Sequence, residues 1–326
     1  MLVRASIGTL ASLGLAEVKI AVPPLTAYLL QYSIMGCKAA CAFCSQSSLN
    51  SSSKEVLSRI TWPPIEIERL LRALAIRKPF QRVCLQTVLK EGFYEELLKV
   101  VREVVSSVRL PLSVTTTPIS RRKLRELKEL GVERLGVGLD ACSPEVFKKV
   151  RKPYTWDRYL SFITDALKVF GRGRVCVHLI VGLGEGFEDY VHLLARLKNM
   201  GAEVALFAFT PVPGTPMATH PPPPLGIYRV FQVVRQLIYE GYAPEEILSN
   251  RGLWEIQRAE AARKAFLTSG CPSCNRPFYN GRVTSPYNYP SRELLARDLV
   301  KVLNELKEGL SSLREVVKDA GVHTLS

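Results

Sequence analysis

The sequence predicts an α/β fold: a partial (βα)6 TIM-like barrel followed by a helical and loop extension. Three observations predict it. Apolar, β-branched runs alternate with segments of helical period, the alternation repeats about six times, and a proline-rich stretch then ends it. The alternation implies parallel neighbours, because parallel strands need a crossover between them. Strands are expected at residues 28–34, 82–89, 112–117, 134–139, 174–181 and 204–212. The helices between them are expected at 65–76, 94–105, 121–130, 156–170 and 188–200. In such an architecture chemistry sits at the C-terminal ends of the strands. The prolines of residues 211–224 mark a boundary. Beyond it helices are expected at 226–239, 253–267 and 291–317, around a polar, aromatic loop at 270–290. The chain is read as an N-terminal extension over 1–27, a core barrel over 28–217 and a C-terminal helical extension over 225–326.

Composition narrows the function classes. Of the 326 residues 47% are hydrophobic, enough for a core, which excludes global disorder and a fibre. No apolar run approaches the ~20 residues that span a bilayer, so no membrane role is expected. The first twenty residues faintly resemble a signal peptide, but Glu17 and Lys19 interrupt them, and a cytoplasmic protein is expected. Lys and Arg total 44 against 30 Asp and Glu, a net charge of +14. These bases alternate with acids, as in RRKLRELKEL, in the manner of a solvated helix face, and no nucleic-acid partner is expected. A basic surface suits an acidic protein partner equally well.

Chemistry concentrates in the cysteines, of which there are eight. In a reducing compartment these are ligands, catalytic thiols or buried hydrophobes rather than disulfides. GCKAACAFC sets Cys37, Cys41 and Cys44 at CxxxCxxC spacing directly after the first barrel strand. Three thiolates on a short loop can each bind one iron of a cubane cluster, leaving a fourth iron open to a small molecule. A zinc knuckle is the competing reading, although zinc favours four ligands and no histidine lies nearby. A second motif, GCPSCNRPFYN, carries Cys271 and Cys274 as a CxxC half-site, with structural zinc again the alternative.

CxxxCxxC after the first strand of a barrel resembles the radical S-adenosylmethionine superfamily. That resemblance implies a [4Fe-4S] cluster on Cys37, Cys41 and Cys44, with S-adenosyl-L-methionine bound at the open iron and cleaved to a 5′-deoxyadenosyl radical. It places Phe43 beside the adenine, and Ile180 and Gly182 of IVGLGE against it. Asp140 of GLDACSPE falls where relatives hydrogen-bond the ribose, or is a helix cap. Gln86 and Thr87 stand where relatives bind the methionine amino group, without the usual acidic residue. CSQSS at 44–48, RVCVHLIVGLGE at 174–185 and GTPM at 214–217 resemble biotin synthase, over roughly residues 28 to 217. Biotin synthase holds a second cluster on three strand cysteines and an arginine. Here Cys84 and Cys176 fall near two of those positions, and LSVTTTP lacks the third.

The tail CxxC, together with PLTAYLL, resembles the archaeal two-protein lipoyl synthase. That resemblance implies a second, auxiliary iron–sulfur cluster as sulfur donor, an octanoylated acidic carrier protein as substrate, a homologous radical partner protein and an external electron donor. The auxiliary ligands are then expected to be Cys84, Cys271 and Cys274. Cys176 and Cys142 are read as buried core thiols, and His178 as a satisfied core histidine. Arg276, Tyr279 and Asn280 are expected beside the second cluster or as packing of an irregular loop. The alternatives are a biotin synthase-like sulfurtransferase acting on dethiobiotin or another small molecule, and a non-catalytic iron–sulfur subunit.

Overall fold

The computed structural model describes residues 1–249 and 262–319. Its centre is an eight-stranded sheet. Six strands are parallel and lie side by side in chain order: β2 (Thr26–Gln31), β6 (Arg82–Gln86), β7 (Leu112–Thr116), β8 (Val132–Asp140), β9 (Val175–Val181) and β10 (Glu203–Ala208). Between them run α2 (Ile67–Arg77), α3 (Phe93–Ser107), α4 (Arg121–Glu129), α5 (Pro144–Lys149) with α6 (Trp156–Phe170), and α7 (Phe187–Met200). This is the partial barrel the sequence predicts. Most expected elements match within a few residues, and α6 matches at both ends.

The helices form for local reasons. Ser120, Ser143 and Thr155 cap α4, α5 and α6 by accepting a backbone N–H in the first turn, each worth about 1 kcal/mol. Pro144 occupies the first turn of α5, where no N–H is needed. Each long crossover helix buries one apolar stripe against the sheet, as α3 does with Leu97, Val100, Val101 and Val104. The strands themselves are nearly continuous apolar runs, as befits a sheet covered by helices.

In the N-terminal segment β1 (Leu2–Ala5) pairs antiparallel with β2 on one side and with β5 (Pro64–Glu66) on the other, so Leu2–Ala5 add a strand to the barrel sheet. α1 (Ile7–Ser12) follows, and β3 (Val56–Leu57) and β4 (Ile60–Thr61) form a small hairpin on the cysteine loop's return path.

The sheet ends at β10 and β5, leaving a seam. The C-terminal extension covers it. α8 (Leu225–Glu240) packs on α7 and on α11 (Arg292–Asp319), while α9 (Pro244–Leu248) and the short α10 (Ala262–Ala265) lie alongside. Most of the helix expected over 253–267 lies outside the described residues. The loop between α10 and α11 bonds to β10 through Leu206, whose N–H is accepted by Ser269 Oγ and whose carbonyl accepts from Asn288. The same loop reaches the start of β2, where Asn275 Oδ1 accepts from Leu25 N and Ser273 O accepts from Thr26 Oγ1. One irregular segment thus bridges the two flanks of the open barrel.

Candidate active site

The barrel encloses a cavity of about 290 Å3, lined from all six parallel strands and from the C-terminal loop. On β9 every second residue, Cys176, His178 and Ile180, faces it. At a rise of roughly 3.3 Å per residue, Cys176 and Ile180 are about 13 Å apart along the strand. This spacing divides the cavity into an upper and a lower end.

The upper end is built by the loop after β2. Cys37 and Cys44 line the cavity, and Cys41 is buried behind them. Cys37 Sγ accepts two backbone N–H bonds, from Ala39 (3.4 Å) and Leu89 (3.1 Å). Burial pushes the Cys44 thiol up to about 12 and raises Cys41, the latter opposed by the Lys152 ammonium. The loop is braced from behind. Met217 N donates to Ala42 O and Ser51 N to Gly214 O, and a Cβ at Gly214 would meet Asn50 Oδ1 at 2.7 Å. That close approach, with φ at +83°, explains glycine in GTPM.

Around this loop stand the residues expected to meet a cofactor. Phe43, Gln86, Thr87, Asp140 and Ile180 all line the cavity. Gly182 does not. It lies just past β9, where the Glu185 carboxylate accepts its N–H at 2.6 Å and Pro223 packs against its backbone. Asp140 is no helix cap, since Ser143 caps α5. It ends β8 at φ +68°, a left-handed conformation that Asp tolerates, just after an irregularity in the β8–β9 register. Its Oδ2 accepts from Lys152 Nζ at 2.5 Å. The sequence gives no sign of Lys152, which follows Arg151, at φ +55°, in the turn after α5. Its side chain is 7% exposed. Burial works to lower the ammonium's pKa, and Asp140 overrides this and holds it well above the usual lysine range. Lys152 uses one of its three donors on Asp140.

The lower end gathers four thiols. Cys84 of β6 and Cys176 of β9 come from the barrel wall, and Cys271 and Cys274 come from the bridging loop. Cys176 is 1% exposed, as a core thiol should be, but it shares the cavity wall with Cys271. The interaction of the two neighbouring thiols raises Cys176 and lowers Cys271. Burial raises Cys84 and Cys274, opposed by Arg276 and Arg82. Cys142 lies elsewhere, buried near Glu185 and Asp189. Arg276 is buried with its guanidinium 3.8 Å from the Phe207 ring centroid, and Arg82 is paired with Glu133 at 2.7 Å. Tyr279 and Asn280 complete the wall. His178 stands midway, its ring tilted on Phe207, with no hydrogen bond to its imidazole among the described residues. Burial and Arg276 lower it to about 4, so it is neutral near pH 7.

Among the described residues no three His, Cys, Asp or Glu side chains converge tightly enough to hold a single metal ion. A cluster in which each thiolate binds its own iron asks for wider spacing. Three thiols on one loop, one of them already accepting two N–H bonds, are the donor set such a cluster needs. Thr116 Oγ1 and Thr117 Oγ1 are buried on the cavity wall without partners, and the spare Lys152 donors join them. These orphaned groups fit a polar small molecule beside the loop.

Residues 32–197, half of the chain, match the family model of the radical SAM superfamily. The chain belongs to the radical SAM superfamily. Within it the chain is similar to biotin synthases. It is 32% identical to a biotin synthase of Desulforudis audaxviator over 62% of this chain and 61% of that one. It is 30% identical to a biotin synthase of Methanococcus aeolicus over 55% and 54%. The chain therefore spans less than two thirds of the length of these two curated relatives. Among solved structures, methylornithine synthase (PylB) superposes with a TM-score of 0.52 at 16% identity, over 67% of this chain and 63% of that one. The FeFe-hydrogenase maturase HydG from Carboxydothermus hydrogenoformans gives 0.53 at 17%, over 91% and 79%. At these identities the structures establish the fold alone. Radical SAM membership implies a [4Fe-4S] cluster and S-adenosylmethionine as cofactors. Among the described residues no helix is long and apolar enough to cross a membrane.

Proposed function

We propose that this chain is a radical SAM sulfur-insertion enzyme acting on the octanoyl-lysine of an acidic carrier protein, as one component of a lipoyl synthase. A homologous radical partner and an external electron donor complete the system. The observation that supports this is the presence of two thiol groups at opposite ends of one cavity. In this reading Cys37, Cys41 and Cys44 hold the radical cluster. Phe43, Gln86, Asp140 and Ile180 contact its cofactor. Cys84, Cys271 and Cys274, joined by Cys176, hold a second cluster as sulfur source.

When bound, the first cluster and S-adenosylmethionine supply one-electron chemistry that removes hydrogen from an unactivated carbon. The protein's own part is containment and placement. Tyr28, Leu30, Phe207 and Phe209 wall the space between the two ends and keep water away. Gly136 and Gly138 on β8 add no side chains to that wall and leave width for an alkyl segment. Holding carbon and sulfur in one cavity supplies orientation, which can amount to roughly 7–11 kcal/mol in well-aligned systems. The net charge of +14 suits an acidic carrier.

A second reading, thiolation of dethiobiotin, draws on the biotin synthases that match at 32% and 30%. Octanoylated carrier peptide and dethiobiotin, supplied separately to reconstituted protein with reductant and partner, separate the two. Deoxyadenosine formation coupled to thiolation of the peptide supports the first reading. Coupling to dethiobiotin alone refutes it. Cofactor cleavage uncoupled from both, with clusters fully loaded, favours a non-catalytic subunit.

A further inference from the structure

Tyr28, Cys84 and Ser113 are direct neighbours on three adjacent parallel strands, β2, β6 and β7. The two hydroxyls therefore flank the wall thiol at the level where the bridging loop inserts its CxxC. Each hydroxyl reaches one tail sulfur: Tyr28 OH lies 3.5 Å from Cys274 Sγ and Ser113 Oγ 3.7 Å from Cys271 Sγ. The direction of these bonds follows from the other side of each oxygen. The Arg276 backbone N–H donates to Tyr28 OH at 2.9 Å, and Arg82 Nη1 donates to Ser113 Oγ at 3.0 Å. An oxygen that is already accepting on one side has its single hydrogen free for the other, so both hydroxyls donate to sulfur. Cys84 receives no such bond among the described residues. The loop's two sulfurs are thus distinguished from the wall's by a matched pair of relays, each beginning at an arginine.

We infer that Tyr28 and Ser113 are positioning residues for the second iron–sulfur site, holding Cys274 and Cys271 as hydrogen-bonded thiolates and setting that cluster's reduction potential. The inference rests on the sulfur-site reading above. Hydrogen bonds to a ligand sulfur withdraw charge from it. The reduced cluster carries one more negative charge, so these bonds favour the reduced form and raise the potential. Phe278, one residue before Tyr279, is held at φ +57° and Arg276 at φ +33°, so the loop is fixed in a conformation that keeps its backbone N–H on Tyr28.

The test is an EPR-monitored redox titration of anaerobically reconstituted full-length protein, wild type against Tyr28→Phe and Ser113→Ala, with iron and sulfide counted in each. Tyr28→Phe keeps the ring that fills the wall, and Ser113→Ala removes only one oxygen. The expected result is that each variant retains both clusters and that the reduction equilibrium of the second falls about tenfold, 59 mV for one electron. The first cluster, with its response to S-adenosylmethionine, stays in place. Should Tyr28→Phe not fold, Ser113→Ala alone carries the test. Two clusters with an unmoved second potential overturn the inference while leaving the sulfur site intact. Wild-type protein with a single cluster, or with zinc at the tail cysteines, overturns both.

Discussion

Lys152 is the residue whose importance the sequence hides most completely. RKPYT carries no motif, and only the left-handed turn at Arg151 and Tyr154 brings the ammonium under the cysteine loop. Charge-assisted hydrogen bonds contribute about 1.5–3 kcal/mol each. Lys152→Met should therefore weaken S-adenosylmethionine binding by about tenfold or more while iron content holds, as read from the cofactor-induced change in the cluster's EPR spectrum. Unchanged affinity would show that the spare donors face nothing. His178 gives a second test at this scale. The folded protein takes up its proton near pH 4, the unfolded chain near 6.5. Between these values the unfolded chain binds the extra proton, so acid favours unfolding, and this contribution to stability is intact above 6.5 and gone by about 4. NMR titration of the imidazole, assigned with His178→Gln, should show no protonation until well below 6.5. A midpoint at the ordinary value contradicts its placement in the cavity. The sequence marked Cys37, Cys41 and Cys44 by spacing alone, because local spacing is what a loop site requires. Tyr28, Ser113 and Arg82 carry no comparable signal, since they meet the tail only once the strands are assembled side by side in the sheet.

At the scale of elements, the bridging loop depends on how α8 and α11 hold its far end. Arg229 of α8 is fully buried, and its guanidinium pairs with Glu305 of α11 at 2.9 Å. It also donates to Pro286 O at 2.7 Å and to Tyr287 O, tying the loop to both helices. Arg229→Met leaves a largely buried Glu305 with only the half-exposed Lys301 ammonium at 4.0 Å and should cost about 3 kcal/mol in chemical denaturation. A change below 1 kcal/mol would mean that the loop is held elsewhere. The helices approach closely where Gly226 meets Gly309. A Cβ on Gly309 would lie 2.1 Å from Gly226 O, and one on Gly226 would lie 2.6 Å from Glu305 O. Gly309→Val should force them apart and lower the melting temperature, and an unshifted transition would refute this packing. Periodicity predicted the crossover helices well because their apolar stripes repeat over several turns. It missed β1, β5 and the β3–β4 hairpin, which are two to four residues long, too short for a period to register. β1 finds its place through long-range antiparallel pairing, which local sequence does not encode.

Across the whole molecule, the parallel barrel, its open seam and the loop that bridges the seam together set two thiol groups at the two ends of one space. Alternation of strand and helix made the barrel legible, and the cysteine spacing made the upper end legible. The lower end was legible only in part. Cys271 and Cys274 announce themselves as a pair and Cys84 was reached by resemblance. Cys176 joins them because β9 runs beside β10, to which the loop is bonded. The most direct measurement is iron analysis of anaerobically reconstituted wild type and of the Cys271→Ala/Cys274→Ala double variant, with deoxyadenosine formation followed in both. Two cubane sites predict about eight irons per chain, falling to about four in the variant with cofactor cleavage preserved. About four irons in the wild type, or about eight retained in the variant, would contradict it.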